Sequence, residues 1–286
     1  MDALRRRERG DRGYAEIARG LDDQDGVPEP AEDNLDDDVL RLMVVSCHPV
    51  LSAEARVALT LRVVGGLRTD EIARAFLVGE SAVGQRIVRA KRALAASQVP
   101  FEVPAGPERA ARLASVMDVL YLVFNEGYAA TGGADWIRPA LCDEAIRLAR
   151  MLAALAPDSA EAHGLLALME LQHSRRAARV DTDGVPVLLQ DQDRGRWDRD
   201  RIRAGFTALL RAGETGAPPG PYVLQATIAA CHARARSAAD TDWGQIATLY
   251  ELLARVAPSP VVALNRAVAV AMRAGPRRAC GSPSRC

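Results

Sequence analysis

The sequence predicts an all-α fold in which a small helix-turn-helix domain precedes an array of α-hairpins. Hydrophobic residues make up 49% of the 286 positions and aromatic residues only 4%, a composition that favours helices packed through small side chains over β-strands. Apolar residues recur at helical spacing from residue 37 onwards, separated by Pro, Gly or Asp. The 37 basic and 37 acidic residues cancel, which excludes a uniformly basic DNA coat but leaves room for a local basic patch.

The first 35 residues are expected to lie before the first folded domain. Residues 1–20 are rich in arginine, show no clear apolar stripe and indicate a short basic helix fragment. Residues 22–38 hold nine acids and no base, with two prolines and one glycine. Because like charges repel and proline interrupts helices, this segment is predicted to be a solvated linker.

Residues 36–98 form the first predicted domain. Their apolar residues follow helical spacing and include a helix expected over 53–64, which Gly65-Gly66 should end. A proline-containing linker from Val99 to Pro107 follows.

The second predicted domain spans residues 106–274, before an irregular tail over 275–286. Two similar Ala-rich windows, 152–168 and 253–269, contain Pro157 and Pro258, which lie 101 residues apart, about three times the ~34-residue tetratricopeptide period. This repeat signal is weak, and any stack of helical hairpins would give a similar pattern. Seven helices are predicted here, over 108–124, 138–156, 159–174, 198–212, 221–235, 242–256 and 260–273.

The segment 67–96 carries the pattern of a helix-turn-helix. Thr69 is expected to cap a short first helix with acids in its first turn. A tight turn should follow, in which Gly79 takes a positive φ. Ser81 is then expected to cap a second helix whose apolar residues recur on one face. Two helices joined by a short glycine-containing turn are typical of this DNA-binding motif.

The second helix offers polar side chains to DNA and no acid between residues 81 and 101. In a helix-turn-helix this helix enters the major groove. Gln85 and Arg86 have the donors and acceptors that match adenine and guanine edges, whereas Arg89, Lys91 and Arg92 suit phosphate contacts. The predicted DNA-binding residues are Ser81, Gln85, Arg86, Arg89, Lys91 and Arg92.

The basic face of an amphipathic helix is more often simply exposed to solvent than bound to DNA. Taken in isolation, this helix would be interpreted as solvent-exposed. The preceding helix, the turn spacing and the acid-free face together favour DNA binding. A single such motif binds DNA only weakly, so it requires a dimer or a large partner. No heptad zipper is present to form a dimer.

Residues 36–94 resemble the fourth, promoter minus-35-binding domain of extracytoplasmic-function RNA polymerase sigma factors of the sigma-70 family. The chain further resembles the subgroup that carries a long, tetratricopeptide-like helical extension. The matching segments of that extension are NEGYAA (125–130), LCDEAIRLAR (141–150), LLQDQDRGRWDR (188–199), LQATIAACHA (224–233), SAADTDW (237–243) and SPVVALNRAVAVA (259–271).

This resemblance implies a dissociable transcription initiation factor that binds promoter DNA and core RNA polymerase. By position, Ser81, Gln85, Arg86 and Arg89 would face the minus-35 element. Helix 53–64 and the Leu94 region would form the groove for the polymerase β-flap.

The chain departs from that family at both ends. The resemblance implies a second region before residue 36, for which only residues 1–20 are left as a remnant of its C-terminal end, and the tail PRRACGSPSRC does not continue the helical repeats. The sequence therefore resembles a truncated member, from which we expect weak DNA binding and no initiation by the chain alone.

Other residue clusters favour structural roles. Cys47-His48 and Cys231-His232 lack a third ligand at helical spacing, so core or cap positions are expected rather than a metal site. The alternating aspartates and arginines from Asp191 to Arg201 lack the glycine and glutamate of a calcium loop. They predict a salt-bridged helix entry anchored by Trp197.

The sequence offers no sign of an enzyme. It contains no Walker loop, GxSxG or HExxH, and we expect no cofactor, metal or small-molecule substrate. No apolar run is long enough for a membrane span, and no signal peptide is recognisable. Five cysteines without a CxxC pair fit a reducing cytoplasm.

One alternative function stays open at this point. A non-sigma transcriptional regulator would use the same helix-turn-helix, with the helical array sensing a protein partner. Association with core polymerase would favour the sigma reading, and self-dimerisation on a palindromic site would favour the alternative.

Overall fold

The computed structural model describes residues 32–128 and 139–274. Within these ranges it contains eleven α-helices, three short 3-10 helices and one isolated β-bridge, but no β-strand. The predicted all-α fold is therefore confirmed. The helices are α1 (Glu32–Ser46), α2 (Ala53–Val63), α3 (Thr69–Ala75), α4 (Glu80–Ala96), α5 (Gly106–Tyr128), α6 (Pro139–Leu155), α7 (Ala160–His173), α8 (Arg199–Glu214), α9 (Pro221–Arg234), α10 (Trp243–Val256) and α11 (Pro260–Ala274).

Helix α1 begins inside the segment that was predicted to be a linker, so that prediction is wrong for residues 32–38. No proline or glycine follows Pro30 before the helix ends, and acidic residues at a helix N-terminus interact favourably with the helix dipole. The buried Leu40, Met43 and Val44 then fix the helix to the core. The predicted basic fragment 1–20, residues 22–31 and the tail 275–286 lie outside the described residues.

Contacts divide the chain after Asp38, and the described residues from Val39 onwards form one compact unit. Within it, α2, α3 and α4 pack on one another, and α2 also contacts α5. The helix-turn-helix and the array therefore share a continuous apolar core. The domain boundaries predicted at residues 98 and 106 stay predictions.

The glycine pair after α2 ends that helix as predicted. Ser52 caps its start and accepts a hydrogen bond from the backbone N–H of Ala55. At its other end Gly66 adopts a φ of +70°, which lets the N–H of Leu67 donate to the carbonyl of Leu61 at 3.0 Å. A left-handed glycine at this place is a common way to satisfy the last carbonyls of a helix.

All seven helices predicted for the array are present, with ends within a few residues of the expected ones. Helix α5 packs on α6, α6 on α7, α7 on both α8 and α9, and α10 on α11. Close packing through small residues is visible at two glycines. A Cβ at Gly164 would lie 2.7 Å from Val223 of α9, and one at Gly205 would lie 2.6 Å from Leu171 of α7. The tetratricopeptide-like period itself stays a prediction.

The aspartate- and arginine-rich segment before α8 forms the predicted helix entry. Asp198 caps α8 and accepts hydrogen bonds from the N–H groups of Asp200 and Arg201. Arg194 is buried, donates to the carbonyls of His232 and Ala235, and lies 4.9 Å from the ring centroid of the buried Trp197. The segment therefore joins α8 to the end of α9.

None of the described helices is both long and apolar enough to cross a membrane.

Candidate nucleic-acid interface

The first helix of the motif, α3, begins one residue earlier than its predicted cap. Arg68 occupies the N-cap position and Thr69 is the first helical residue, so the prediction that Thr69 caps the helix is wrong. The reason is that the Glu71 carboxylate accepts a hydrogen bond from the backbone N–H of Arg68 at 2.7 Å, which is one half of a capping box.

The turn between α3 and α4 places its strained residue at Leu77. Leu77 has a φ of 52°, whereas Gly79 has an ordinary φ of −66°, so the predicted positive φ at Gly79 is wrong. The N–H of Val78 donates to the carbonyl of Ala73 at 3.0 Å, and that of Leu77 donates to Arg74 at 3.4 Å. These two bonds form a Schellman motif, whose geometry requires the left-handed residue directly after the helix end.

Helix α4 therefore begins with Gly79 as its N-cap and Glu80 as its first residue. Ser81 lies inside the helix with an exposed side chain, so the prediction that it caps α4 is wrong. As a consequence Ser81 is free to point to solvent from the first turn, which is the part of a recognition helix that lies nearest the bases.

One face of α4 is buried and the opposite face carries most of the predicted DNA-binding residues. Val83, Ile87 and Ala90 are buried in the core. At ~100° per residue, four exposed side chains fall within an arc of about 80° on the other side. They are Ser81, Gln85, Arg89 and Arg92.

Lys91 and Arg86 lie on the two flanks of this arc. Lys91 is exposed and Arg86 is half-buried. Among the described residues, no ion pair involves Arg89, Lys91 or Arg92. Their positive charges are therefore available to an anionic partner such as a phosphate backbone.

Arg86 lines a cleft of about 230 Å³ between the motif and the array. Glu54 of α2 and Leu122 and Glu126 of α5 line the same cleft. The pKa of the Glu54 carboxyl lies below its ordinary value, chiefly because its own backbone N–H and the Ser52 hydroxyl donate hydrogen bonds to it. The positive charge of Arg86 adds a smaller contribution in the same direction. Arg86 thus lines the same cleft as two acidic side chains.

Three further residues of this surface were missed by the sequence reasoning. Val88 is 47% exposed and lies about 20° outside the outward arc, next to Ser81, and its helical spacing could have indicated this position. An apolar side chain at such a position can contact a thymine methyl group. Arg68, the N-cap of α3, and Arg74 within α3 are exposed, and both pair with Asp70, at 2.6 and 3.1 Å. In this motif the first helix crosses the DNA backbone.

The cysteines of the Cys-His pairs are buried in the core. Cys47 lies 3.2 Å from the hydroxyl of Thr60, and Cys231 lies 3.3 Å from the side-chain oxygen of Gln245. Burial raises the pKa of the Cys47 thiol to about 12, so this group stays protonated. In the described ranges, no three His, Cys, Asp or Glu side chains come together in a way that could hold a metal ion.

Comparison with known proteins separates the two halves of the compact unit. Residues 41–94 match the family described as sigma-70, region 4, and residues 112–213 match a family of unknown function, DUF6596. The chain is 50% identical over 264 residues to an uncharacterized protein of Rhizobium meliloti (strain 1021). That match covers 91% of this chain and 62% of the relative, so the chain spans less than two thirds of the relative's length. No solved structure matches.

The match over 41–94 covers α2 and α3 completely and α4 up to Leu94. Region 4 is a non-enzymatic DNA-binding domain, and its match to residues 41–94 supports a DNA-binding role of the sigma-factor kind for this part of the chain.

Proposed function

We propose that this chain is a promoter-recognition factor of the extracytoplasmic-function sigma type, which binds the minus-35 element and core RNA polymerase. The observation that carries this proposal is the exposed, acid-free face of α4 within a sigma-70 region 4 helix-turn-helix. The array from α5 to α11 is proposed to be the helical, tetratricopeptide-like extension of that subgroup.

The residues of α4 divide into base-reading and phosphate-binding groups in this proposal. Gln85 lies in the middle of the outward arc, where its amide can form a bidentate contact with an adenine edge. Arg89, Arg92 and Lys91 bind phosphates, which sets the register of the helix and makes binding sensitive to salt. Ser81 contacts the groove from the first turn, and Arg86 reaches a guanine edge by leaving the cleft that it shares with Glu54.

The same cleft supports the proposed contact with polymerase. Val57, Ile72, Phe76 and Val83 give it an apolar lining, and an apolar groove of this kind accepts an amphipathic helix. Helix α2, which was expected to form the β-flap groove, contributes to it. Leu94 packs on the core but does not line the cleft.

The experiment is selection of duplex DNA from a library with a randomised window, using the full chain with and without core RNA polymerase. We expect a single asymmetric motif to be enriched, and enrichment to increase when polymerase is present. Arg89→Ala should reduce retention strongly. Arg211→Ala, which removes an exposed arginine of α8, is the matched control and should leave retention unchanged.

Two outcomes would contradict the proposal. Enrichment of a palindrome by a dimer of the chain, with no effect of polymerase, would favour the non-sigma regulator. Equal loss of retention in Arg89→Ala and Arg211→Ala would show that DNA binding depends on overall charge rather than on α4.

A further inference from the structure

A cavity of about 310 Å³ lies within the array, away from the helix-turn-helix. Its walls come from α5, α7, α9, α10 and α11, together with Arg175 just after α7 and Leu189 of a 3-10 helix. Small-molecule sites in proteins begin at about this size and combine apolar walls with a few polar groups. The lining has this composition.

Arg175 supplies the one arginine of the lining. Its guanidinium is half-buried, donates a hydrogen bond to the hydroxyl of Tyr128 at 2.9 Å, and lies 6.0 Å from the ring centroid of Trp197. No carboxylate in the described part of the chain forms an ion pair with it. A guanidinium presents donors in a planar fork that fits a carboxylate.

The other polar groups of the lining are neutral. They include the side-chain amides of Gln172, Gln225 and Asn265, and no aspartate or glutamate occurs among the described lining residues. His232 also lines the cavity, and its Nδ1 is buried without a hydrogen-bond partner in the described structure. Burial, followed by the nearby charges of Arg175 and Arg194, lowers the pKa of His232 to about 4, so its imidazole is neutral at pH 7.

The remaining wall is apolar. Leu168, Ile228, Leu253 and Val262 come from four different helices and face the same space. A highly charged ligand such as a nucleotide would leave most of its charge uncompensated here, because only one cation is available. A ligand with a single negative charge and a hydrocarbon part fits both the charge and the walls.

We propose that this cavity binds a small monocarboxylate with an apolar body, whose carboxylate is held by Arg175 and whose body packs on the leucine and isoleucine side chains. The unpaired Nδ1 of His232 and the amide of Gln225 are the neutral groups beside that carboxylate. This site is independent of DNA binding and makes the array a ligand-binding part of the molecule.

Two sources would supply such a carboxylate, the C-terminus of a peptide and a fatty acid. The experiment therefore measures binding of N-acetyl-leucine and of octanoate to the full chain by calorimetry. Each acid is compared with its uncharged amide. We expect at least one acid to bind about tenfold or more tightly than its amide, since a hydrogen-bonded charge pair is lost in the amide. Binding of N-acetyl-leucine alone identifies a peptide terminus, and binding of octanoate alone identifies a fatty acid.

Variants test the residues of the site. Arg175→Gln should weaken binding of the acid about tenfold and leave binding of the amide unchanged. Gln225→Glu keeps Arg175 and its contacts but places a negative charge in the lining of the cavity. It should therefore weaken binding of the acid by a similar factor. Arg211→Gln on α8 is the control and should bind as the unmodified chain does. The proposal is overturned if neither acid binds at about 10 mM, if acids and amides bind equally, or if Gln225→Glu has no effect.

Discussion

The guanidinium of Arg56 on α2 donates a hydrogen bond to the hydroxyl of Ser115 on α5 at 2.8 Å. The Ser115 hydroxyl in turn donates to the carbonyl of Cys47 at 2.5 Å. Ser115 is 9% exposed, so these bonds form inside the compact unit. They connect the helix-turn-helix part to the first helix of the array through polar contacts as well as through the shared apolar core.

We expect Ser115→Ala to lower the free energy of unfolding by about 1–3 kcal/mol. The substitution leaves the Cys47 carbonyl and the Arg56 guanidinium without a buried partner, and an unpaired buried group costs about this much. Urea unfolding followed by circular dichroism measures the change. Ser97→Ala, at the exposed end of α4, is the control and should change stability by less than ~0.5 kcal/mol. Equal effects of the two substitutions would contradict the role given to the Ser115 hydroxyl.

Leu77→Gly should stabilise the chain by about 1 kcal/mol. Leu77 adopts a φ of 52°, which is strained for a residue with a Cβ and is free of strain for glycine. Its side chain is 61% exposed, so little apolar burial is lost. The midpoint of thermal unfolding should rise accordingly.

Gly79→Ala provides the contrast for this turn. Its φ of −66° suits any residue, and an added Cβ would meet only the Ser81 hydroxyl, at 3.9 Å. We expect no loss of stability from it. If Gly79→Ala destabilised the chain and Leu77→Gly did not stabilise it, the strain would lie at the glycine after all.

The sequence predicted helices well and local backbone geometry less well. Apolar periodicity located the array helices because most of them bury an apolar face, although α11 buries only Ala269 among its residues. It placed the positive φ at Gly79 because glycine is the usual left-handed residue, whereas the Schellman bonds of α3 impose that conformation on Leu77. Arg86 lines a cleft together with Leu122 and Glu126 of α5. These residues are distant in sequence, so no local pattern indicates that they share a cleft.

Stability should fall as the pH is lowered from about 6.5 to about 4. Burial, with a further contribution from the charge of Arg201, lowers the pKa of His173 from 6.5 to about 4. Arg176 acts in the same direction, and the carboxylates of Asp143 and Asp198 oppose it. In this pH window the unfolded chain binds a proton that the folded chain does not, so acid favours unfolding. A shift of this size corresponds to a loss of up to ~3 kcal/mol.

His173→Gln tests this pH dependence. The variant should lose part of the difference in unfolding free energy between pH 7 and pH 4.5, because it removes one of the two histidines whose pKa is lowered to about 4. His163→Gln, whose imidazole is not buried in the core, is the control and should retain the full difference. An unchanged difference in His173→Gln would mean that other groups cause the acid sensitivity.

Gln85→Ala and Arg89→Ala should weaken DNA binding in different ways. Arg89 is assigned to a phosphate contact, so Arg89→Ala should weaken binding to all duplexes about equally. It should also reduce the slope of the logarithm of affinity against the logarithm of salt concentration by about one. Gln85 is assigned to a base edge, so Gln85→Ala should reduce the binding free energy by ~1–3 kcal/mol for the selected duplex only. Fluorescence anisotropy at several salt concentrations, on the selected and a scrambled duplex, measures both effects. The same loss of discrimination in both variants would contradict the assignment.

The position of Arg86 leads to a last prediction, because this residue lies near Glu54 in the free chain and is proposed to reach a guanine in the complex. If Arg86 leaves the neighbourhood of Glu54 when DNA binds, Glu54→Gln removes a competing charge and should raise affinity for the selected duplex about two- to fivefold, the size expected for an attraction between two charges near the surface. In the Arg86→Ala background the same change should have a much smaller effect. A double-mutant cycle therefore separates this competition from simple repulsion between Glu54 and the phosphates, which would raise affinity equally in both backgrounds.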